Sequence, residues 1–302
     1  MNTLLISGVS GFIGKNLQEY LQPDFKIKGM SRSSEDHINY DSVTLSDFNQ
    51  SSTFIHLAGK AHDLKNKSSA DVYFKVNRDL TIKLFDLFLK SSCKKFIYFS
   101  SVKAAADIVD DILTEDMVAM PETPYGRSKL EAEQYILSQQ IPADKKVYIL
   151  RPCMVHGPYN KGNLNLLYKF VSKGLPFPLG TFDNQRSFTS IDNLCFIVKQ
   201  CIEKDIPTGI YNMADDESLS TVDLVKLIGQ VISKPAKVWN INKSLMVAMA
   251  RVGDLLHLPL NTHRLNKLTE NYVVSNQKIK QALSIELPTT AVDGLTKTIK
   301  SF

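Results

Sequence analysis

The stretch TLLISGVSGFIG, residues 3–14, constrains the fold of this chain more than any other. A short apolar run ends at Ser7. Three glycines, Gly8, Gly11 and Gly14, then follow at intervals of three, and an amphipathic segment starts near Phe12. Glycines so placed permit a tight strand-to-helix turn and close packing of the helix on the strand. They also let backbone N–H groups come close to a pyrophosphate. With Phe12 and Ile13 between the last two glycines, this predicts a phosphate-holding turn at the first strand–helix junction.

The pattern continues down the chain. Apolar runs at 3–7, 26–30, 53–58, 95–100 and 146–152 read as strands bounded by turn residues. Between them IGKNLQEYLQ, DVYFKVNRDLTIKLFDLFLKSS and YGRSKLEAEQYILSQQ carry helical spacing. Such alternation predicts an α/β fold, a doubly wound parallel sheet of the Rossmann kind with helices on both faces. After Pro152 the segments HGPYNKGNLN and KGLPFPLGTFDNQRSF, rich in Gly, Pro and Asn, read as loops over a site. A helix, SIDNLCFIVKQCIEK, and a strand, GIYNMA, follow. The expected division is a dinucleotide-binding domain of residues 1–155 plus about 187–212. Residues 156–186 and 213–302 would form a smaller, mostly helical substrate-binding lobe.

Bulk properties narrow the function. The chain has 302 residues, 43% of them hydrophobic and 22% charged, as expected of a soluble globular protein. The net charge of +5 comes from Lys and Arg spread along the chain, so nucleic acid is not an expected partner. Arg is scarce beside Lys, which makes an Arg in a loop informative. Cys93, Cys153, Cys195 and Cys201 show no C-x-x-C spacing; neither a disulfide framework nor a metal site is expected, and the thiols fit a reducing cytoplasm. The N-terminus runs directly into a strand, without signal-peptide character. SLMVAMARVGDLLHL, 244–258, is too short to span a membrane and holds Arg251 and Asp254. It reads as an amphipathic helix packed on the core, with an interfacial role as the lesser alternative.

TPYGRSK places Tyr125 and Lys129 one turn apart on a single helix face. FSSVK, at the end of the fourth strand, supplies Ser100 and Ser101. A phenol with a reference pKa of about 10 is a poor acid–base near neutrality unless cations lower it. Lys129 and a positive nicotinamide would do this. Ser101 would hold the reacting oxygen while Tyr125 passes the proton.

With the Gly-x-x-Gly-x-x-Gly turn, HLAG after the third strand, SS after the fourth and Tyr-x-x-x-Lys, the chain resembles the extended short-chain dehydrogenases, the epimerase/dehydratase family that acts on nucleotide sugars. HLAGKAH, FSSVKAAA, YGRSKLEAEQ, LRPCMVHGP, KGN and QRSFTSIDNL resemble a bacterial branch of UDP-sugar 4-epimerases and UDP-4-ketosugar reductases. The resemblance implies NAD or NADP, a UDP-hexose and hydride chemistry at C4. It makes Ser101, Tyr125 and Lys129 the catalytic set. Gly8, Gly11, Phe12, Ile13, Gly14, Leu57, Ala58, Gly59, Asn77 and Ser100 join Tyr125 and Lys129 around the cofactor, and His56 to Gly59 would line its adenine and ribose side. Lys60, Ser101, Val102, Lys103, Asn163 and Arg186 face the substrate, with Arg186 gripping the diphosphate. The resemblance also implies a homodimer paired through helices at 71–92 and 125–140.

Two departures discriminate among reactions. Dehydratases of the family place Asp-Glu after the catalytic Ser/Thr; here Val102 and Lys103 stand there and cannot supply that acid–base pair. Ala104 to Ala106 replace an ending that many relatives build from Tyr-Gly or Asn-Gly. The end of the second strand also departs from an NAD-binding pattern. An acidic residue there would bind the ribose hydroxyls, whereas Ser31 and Arg32 are suited to a 2′-phosphate. That leans toward NADPH and net reduction of a UDP-4-keto-6-deoxy-(N-acetyl)hexosamine for cell-surface polysaccharide. The alternatives are a 4-epimerase with bound NAD and a non-catalytic NADP(H)-binding regulator.

Overall fold

The computed structural model describes residues 2–32, 36–60, 69–160, 162–256, 258 and 260–302; the side chain of Asn163 also lies outside the described residues. In chain order the first half runs β1 (Thr3–Ser7), α1 (Phe12–Leu21), β2 (Lys26–Met30), α2 (Leu45–Asn49), β3 (Thr53–His56), α3 (Ala70–Tyr73), α4 (Leu80–Lys90), β4 (Lys95–Phe99), β5 (Ile112–Leu113), α5 (Pro124–Ser138) and β6 (Lys146–Pro152). The second half runs β7 (Met154–His156), α6 (Asn163–Ser172), β8 (Arg186–Ser190), α7 (Ile191–Glu203), β9 (Gly209–Met213), β10 (Ser218–Leu219), α8 (Thr221–Val231), α9 (Lys243–Leu255), α10 (Thr262–Thr269), β11 (Val273–Val274), α11 (Gln277–Leu283) and α12 (Ala291–Lys300).

Six strands form a parallel sheet in the order β2-β1-β3-β4-β6-β9. Successive side chains alternate between its faces. Leu4, Ile6, Ile55, Ile97, Tyr148 and Leu150 pack beneath α1, α7 and α11. Leu5, Phe54, Phe96, Tyr98, Val147 and Ile149 pack against α2, α4 and α5. Burial of both faces explains why these strands read as continuous apolar runs. A third core gathers residues of α6, α8, α9, α10 and α12 with Phe177, Leu179 and Phe188.

The chain leaves β1 for β2 on one side and then for β3 on the other, so the order reverses between β1 and β3. In open α/β sheets ligands bind at such a switch point, beyond the carboxyl ends of the strands. Register aligns those ends, pairing Ser7 with both Met30 and His56, and His56 with Tyr98.

Three local expectations are corrected. The third strand ends at His56, because Leu57 and Ala58 leave the ladder and donate to the Ser7 carbonyl (3.2 Å) and the Ser7 hydroxyl (3.2 Å). The helix expected over 71–92 holds a π-turn at Phe74–Asp79, which contains Asn77. QRSF reads as loop, yet Arg186 opens β8, which pairs with β7 and β10. Among the described residues no helix is long and apolar enough to cross a membrane.

Candidate active site

The glycine turn is built for close approach. Gly8 has φ +76°, and a Cβ there would lie 2.8 Å from the Ala58 nitrogen. At Gly14 a Cβ would collide with the Gly8 carbonyl and lie 2.7 Å from Val9 Cα. Gly11 caps α1 without any side-chain hydrogen bond, and the first turn holds no acidic residue. Its N–H groups therefore face the crevice as an anion site. Phe12 and Ile13 are half-buried and pack against the core beneath the sheet.

At the end of β2, Ser31 is buried and its hydroxyl lies 3.3 Å from His37 Nδ1. Arg32 is exposed, and its charge acts on the Tyr40 phenol, which burial nevertheless holds above its ordinary pKa. The Tyr40 hydroxyl accepts from the Gly8 N–H (3.1 Å) and donates to the Met30 carbonyl (3.3 Å). Arg32 follows two residues after Met30, whose carbonyl accepts the Gly8 N–H (2.9 Å).

His56 does not line the adenine and ribose side. It is fully buried and bonded at both ring nitrogens. Thr81 Oγ1 donates to the Asn77 carbonyl (2.7 Å), so it accepts from His56 Nε2–H (2.9 Å). His56 Nδ1 then accepts from the Ser7 hydroxyl (2.6 Å). Burial, with the Lys129 charge adding to it, lowers the His56 pKa to about 3, so the ring is neutral. It serves as a strut beneath the crevice, while Leu57, Ala58 and Gly59 follow above it.

Asn77 is fully buried and makes three contacts. Its Oδ1 accepts from Lys60 N–H (2.7 Å), and its Nδ2 donates to the Lys60 carbonyl (3.1 Å) and to Ser128 Oγ (3.0 Å). It joins the loop after β3 to α5. A Cβ on Gly59 would sit 3.1 Å from Asn77 Oδ1 and 3.2 Å from Lys129 Nζ. The Lys60 ammonium lies 5.9 Å from the Tyr73 ring centroid.

Ser101, Tyr125 and Lys129 come together at the head of α5. Ser101 Oγ accepts from the Lys103 N–H (3.2 Å). Burial raises the Tyr125 pKa, opposed by a hydrogen bond with Ser101, and the Tyr73 ring packs edge-on at 6.2 Å. In the protein alone the phenol is thus held above its ordinary pKa, not lowered. The Lys129 ammonium donates to the Phe99 carbonyl (2.8 Å) and lies 4.9 Å from the Tyr98 ring. Burial brings its own pKa down to about 8, while Glu133 acts to raise it. Glu133 is in turn held by Arg151 through bonds of 2.9 and 2.5 Å, pinning α5 to β6.

Among the described residues, Ser100 Oγ is a buried hydroxyl without a hydrogen-bond partner. An orphaned buried hydroxyl next in the chain to Phe99, whose carbonyl holds Lys129, and a glycine turn with no room for a Cβ at Gly8 or Gly14 fit a dinucleotide. Gly8, Gly11 and Gly14 would hold its pyrophosphate, and Ser100 and Lys129 would face its nicotinamide half.

On the substrate side Val102 is buried against Ala105, Val109, Cys153 and Tyr272. The Tyr272 hydroxyl bonds the carbonyls of Val102 (3.2 Å) and Ala106 (2.7 Å), filling the corner of the three alanines. Lys103 Nζ donates to the Asp107 carbonyl (2.8 Å) and lies 4.1 Å from the Tyr272 ring. The Arg186 guanidinium bonds the Lys267 carbonyl and approaches Glu270 at 3.5 Å. The charges of Arg186 and Lys103 act on one another, and burial lowers the pKa of both. Tyr40, Thr81, Ser128 and Tyr272 carried no sequence signal, except that Ser128 lies inside the Tyr-x-x-x-Lys segment. Asn163 opens α6.

The chain matches the model of the NAD dependent epimerase/dehydratase family over residues 4–214. It is 29% identical to UDP-glucose 4-epimerase of Vibrio cholerae, with 99% of this chain and 95% of that protein covered. It is 24% identical to dTDP-4-dehydro-6-deoxyglucose reductase of Escherichia coli over 61% of this chain and 60% of that one. Among solved structures, the RMD protein of Pseudomonas aeruginosa complexed with NADPH has the same fold, with a TM-score of 0.76 at 19% identity and 99% of each chain covered.

Proposed function

We propose that this chain, which belongs to the NAD dependent epimerase/dehydratase family, reduces the 4-keto group of a UDP-4-keto-6-deoxy-(N-acetyl)hexosamine for cell-surface polysaccharide, using NADPH. The observation that carries the choice of reaction is an exposed Arg32 two residues beyond the end of β2, whose Met30 carbonyl meets the glycine turn, where a carboxylate would repel a 2′-phosphate. Val102 and Lys103 speak against dehydration. The reduced nicotinamide, when bound, supplies a hydride to C4. Tyr125 gives its phenolic proton to the C4 oxygen, which becomes the hydroxyl, and Ser101 holds that oxygen by a hydrogen bond. Lys129, one turn along α5 from Tyr125, would supply positive charge that favours the phenolate left behind once the site is filled. Arg186 and Lys103 offer cations to the diphosphate, which would displace Glu270 from Arg186.

Residues 156–186 and 213–302 are assigned as the substrate lobe. Exposed Val72 and Leu137 support pairing of two copies through α3–α4 and α5.

The second reading is a 4-epimerase with bound NAD, favoured by the similarity to the Vibrio cholerae epimerase over nearly its whole length. Purified protein incubated with UDP-GlcNAc separates the two. Conversion to the C4 epimer without added NAD(P)H overturns the reductase reading. NADPH consumption only with a UDP-4-keto-6-deoxy sugar supports it. Tyr125→Phe tests for a non-catalytic regulator: biological function unchanged in that variant would exclude catalysis as its basis.

A further inference from the structure

Helix α9 is not sealed onto the core as its pattern suggests. Met246, Ala250 and Gly253 form its buried stripe. A second apolar stripe at i, i+4, i+7 and i+11, formed by Leu245, Met249, Val252 and Leu256, lies beside it and is 47–59% exposed. Leu255 extends that face at 78% exposed. Monomers rarely leave so many large apolar side chains together in water without a use for them.

Charge identifies what covers this face. Residues 232–269 contain six cations, Lys234, Lys237, Lys243, Arg251, Arg264 and Lys267, and a single acid, Asp254. That local excess of five equals the formal +5 of the whole chain, so the other residues balance, thirty basic against thirty acidic. The positive charge that looks dispersed by composition is therefore concentrated, in net terms, in the segment of chain that carries this apolar stripe. An exposed apolar strip within a segment rich in Lys and Arg is the pattern that lies in an anionic lipid–water interface. A protein partner recognised by the same face would need an acidic surface with an apolar centre; two copies of this segment would set a net charge of +5 against +5, which opposes self-pairing.

We infer that α9 docks this protein peripherally on an anionic lipid bilayer, with Leu245, Met249, Val252 and Leu256 entering the interface and the surrounding cations facing lipid phosphates. This goes beyond the catalytic reading and does not depend on it. Helix α9 packs on α10, whose Lys267 carbonyl receives Arg186, so the docked face is linked to the substrate side of the site.

Co-sedimentation of the full chain with vesicles tests this. With phosphatidylglycerol/phosphatidylethanolamine vesicles, the bound-to-free ratio is expected to be at least tenfold higher than with phosphatidylcholine, and to fall in high salt. The exposed double variant Met249→Glu/Val252→Glu should melt with the wild type and lose the binding. Lys237→Glu/Arg251→Glu, which leaves the apolar stripe intact, should weaken it and covers the case in which the first variant fails to fold. Wild-type protein remaining in the supernatant with phosphatidylglycerol vesicles overturns the inference. So does equal binding by a folded double variant. An oligomer seen by sedimentation velocity that the first variant abolishes, without vesicle binding, would mean that a second copy covers the face.

Discussion

The Tyr40 phenol oxygen lies 3.1 Å from the Gly8 nitrogen and accepts its N–H, although the two are 32 residues apart. The same hydroxyl reaches the Met30 carbonyl, so one side chain braces the glycine turn against the end of β2. Tyr40→Phe removes the acceptor and leaves the ring. The expected loss is about 1 kcal/mol of stability, with weaker dinucleotide binding. A denaturant titration and a fluorescence titration with NADPH measure both effects.

Arg32 decides cofactor choice in this reading. A charge-assisted contact to a phosphate contributes about 1.5–3 kcal/mol, or roughly 10- to 100-fold in affinity. Arg32→Glu should raise the KM for NADPH by that factor and leave the KM for NADH near its original value. Equal changes for both cofactors would place Arg32 away from the 2′-phosphate.

Lys129 gives stability a definite pH dependence. Its folded pKa is about 8 against an ordinary 10.5, so between those values the unfolded chain binds more protons. Unfolding free energy therefore rises with pH across that window and carries the desolvation penalty below it. Lys129→Met should remove that rise. Chemical denaturation at pH 7, 9 and 10.5 compares the slopes.

The buried Arg151–Glu133 pair anchors the helix that carries Tyr125 and Lys129. Arg151→Met leaves the Glu133 charge unpaired in the core and should cost about 3–5 kcal/mol. Adding Glu133→Gln should recover part of that loss. A double-mutant cycle from denaturant midpoints measures the coupling.

Much of the site was legible because its signals are local. Gly8, Gly11 and Gly14 meet steric demands within one turn, and Tyr125 and Lys129 share a helix face by spacing alone. The strands were legible because a sheet covered on both faces demands apolar runs. Contacts that join distant segments left no such trace. His56 sits in a glycine-ended motif beside the cofactor loop, yet Thr81 and Ser7 turn its ring inward. The partners of Arg186 lie at Lys267 and Glu270, beyond the reach of any local pattern. The stripe on α9 reads like a core helix, since periodicity marks an apolar face without saying what covers it.

What the sequence determined by itself was the sheet with its glycine turn and the residue types gathered in the candidate site, because these follow from backbone sterics and from spacing along one strand or helix. Only the tertiary structure decided the protonation, orientation and accessibility of those groups. Desolvation, the Phe99 carbonyl under Lys129 and the Tyr272 ring under Lys103 depend on which segments meet in space, and no short stretch of chain encodes that meeting.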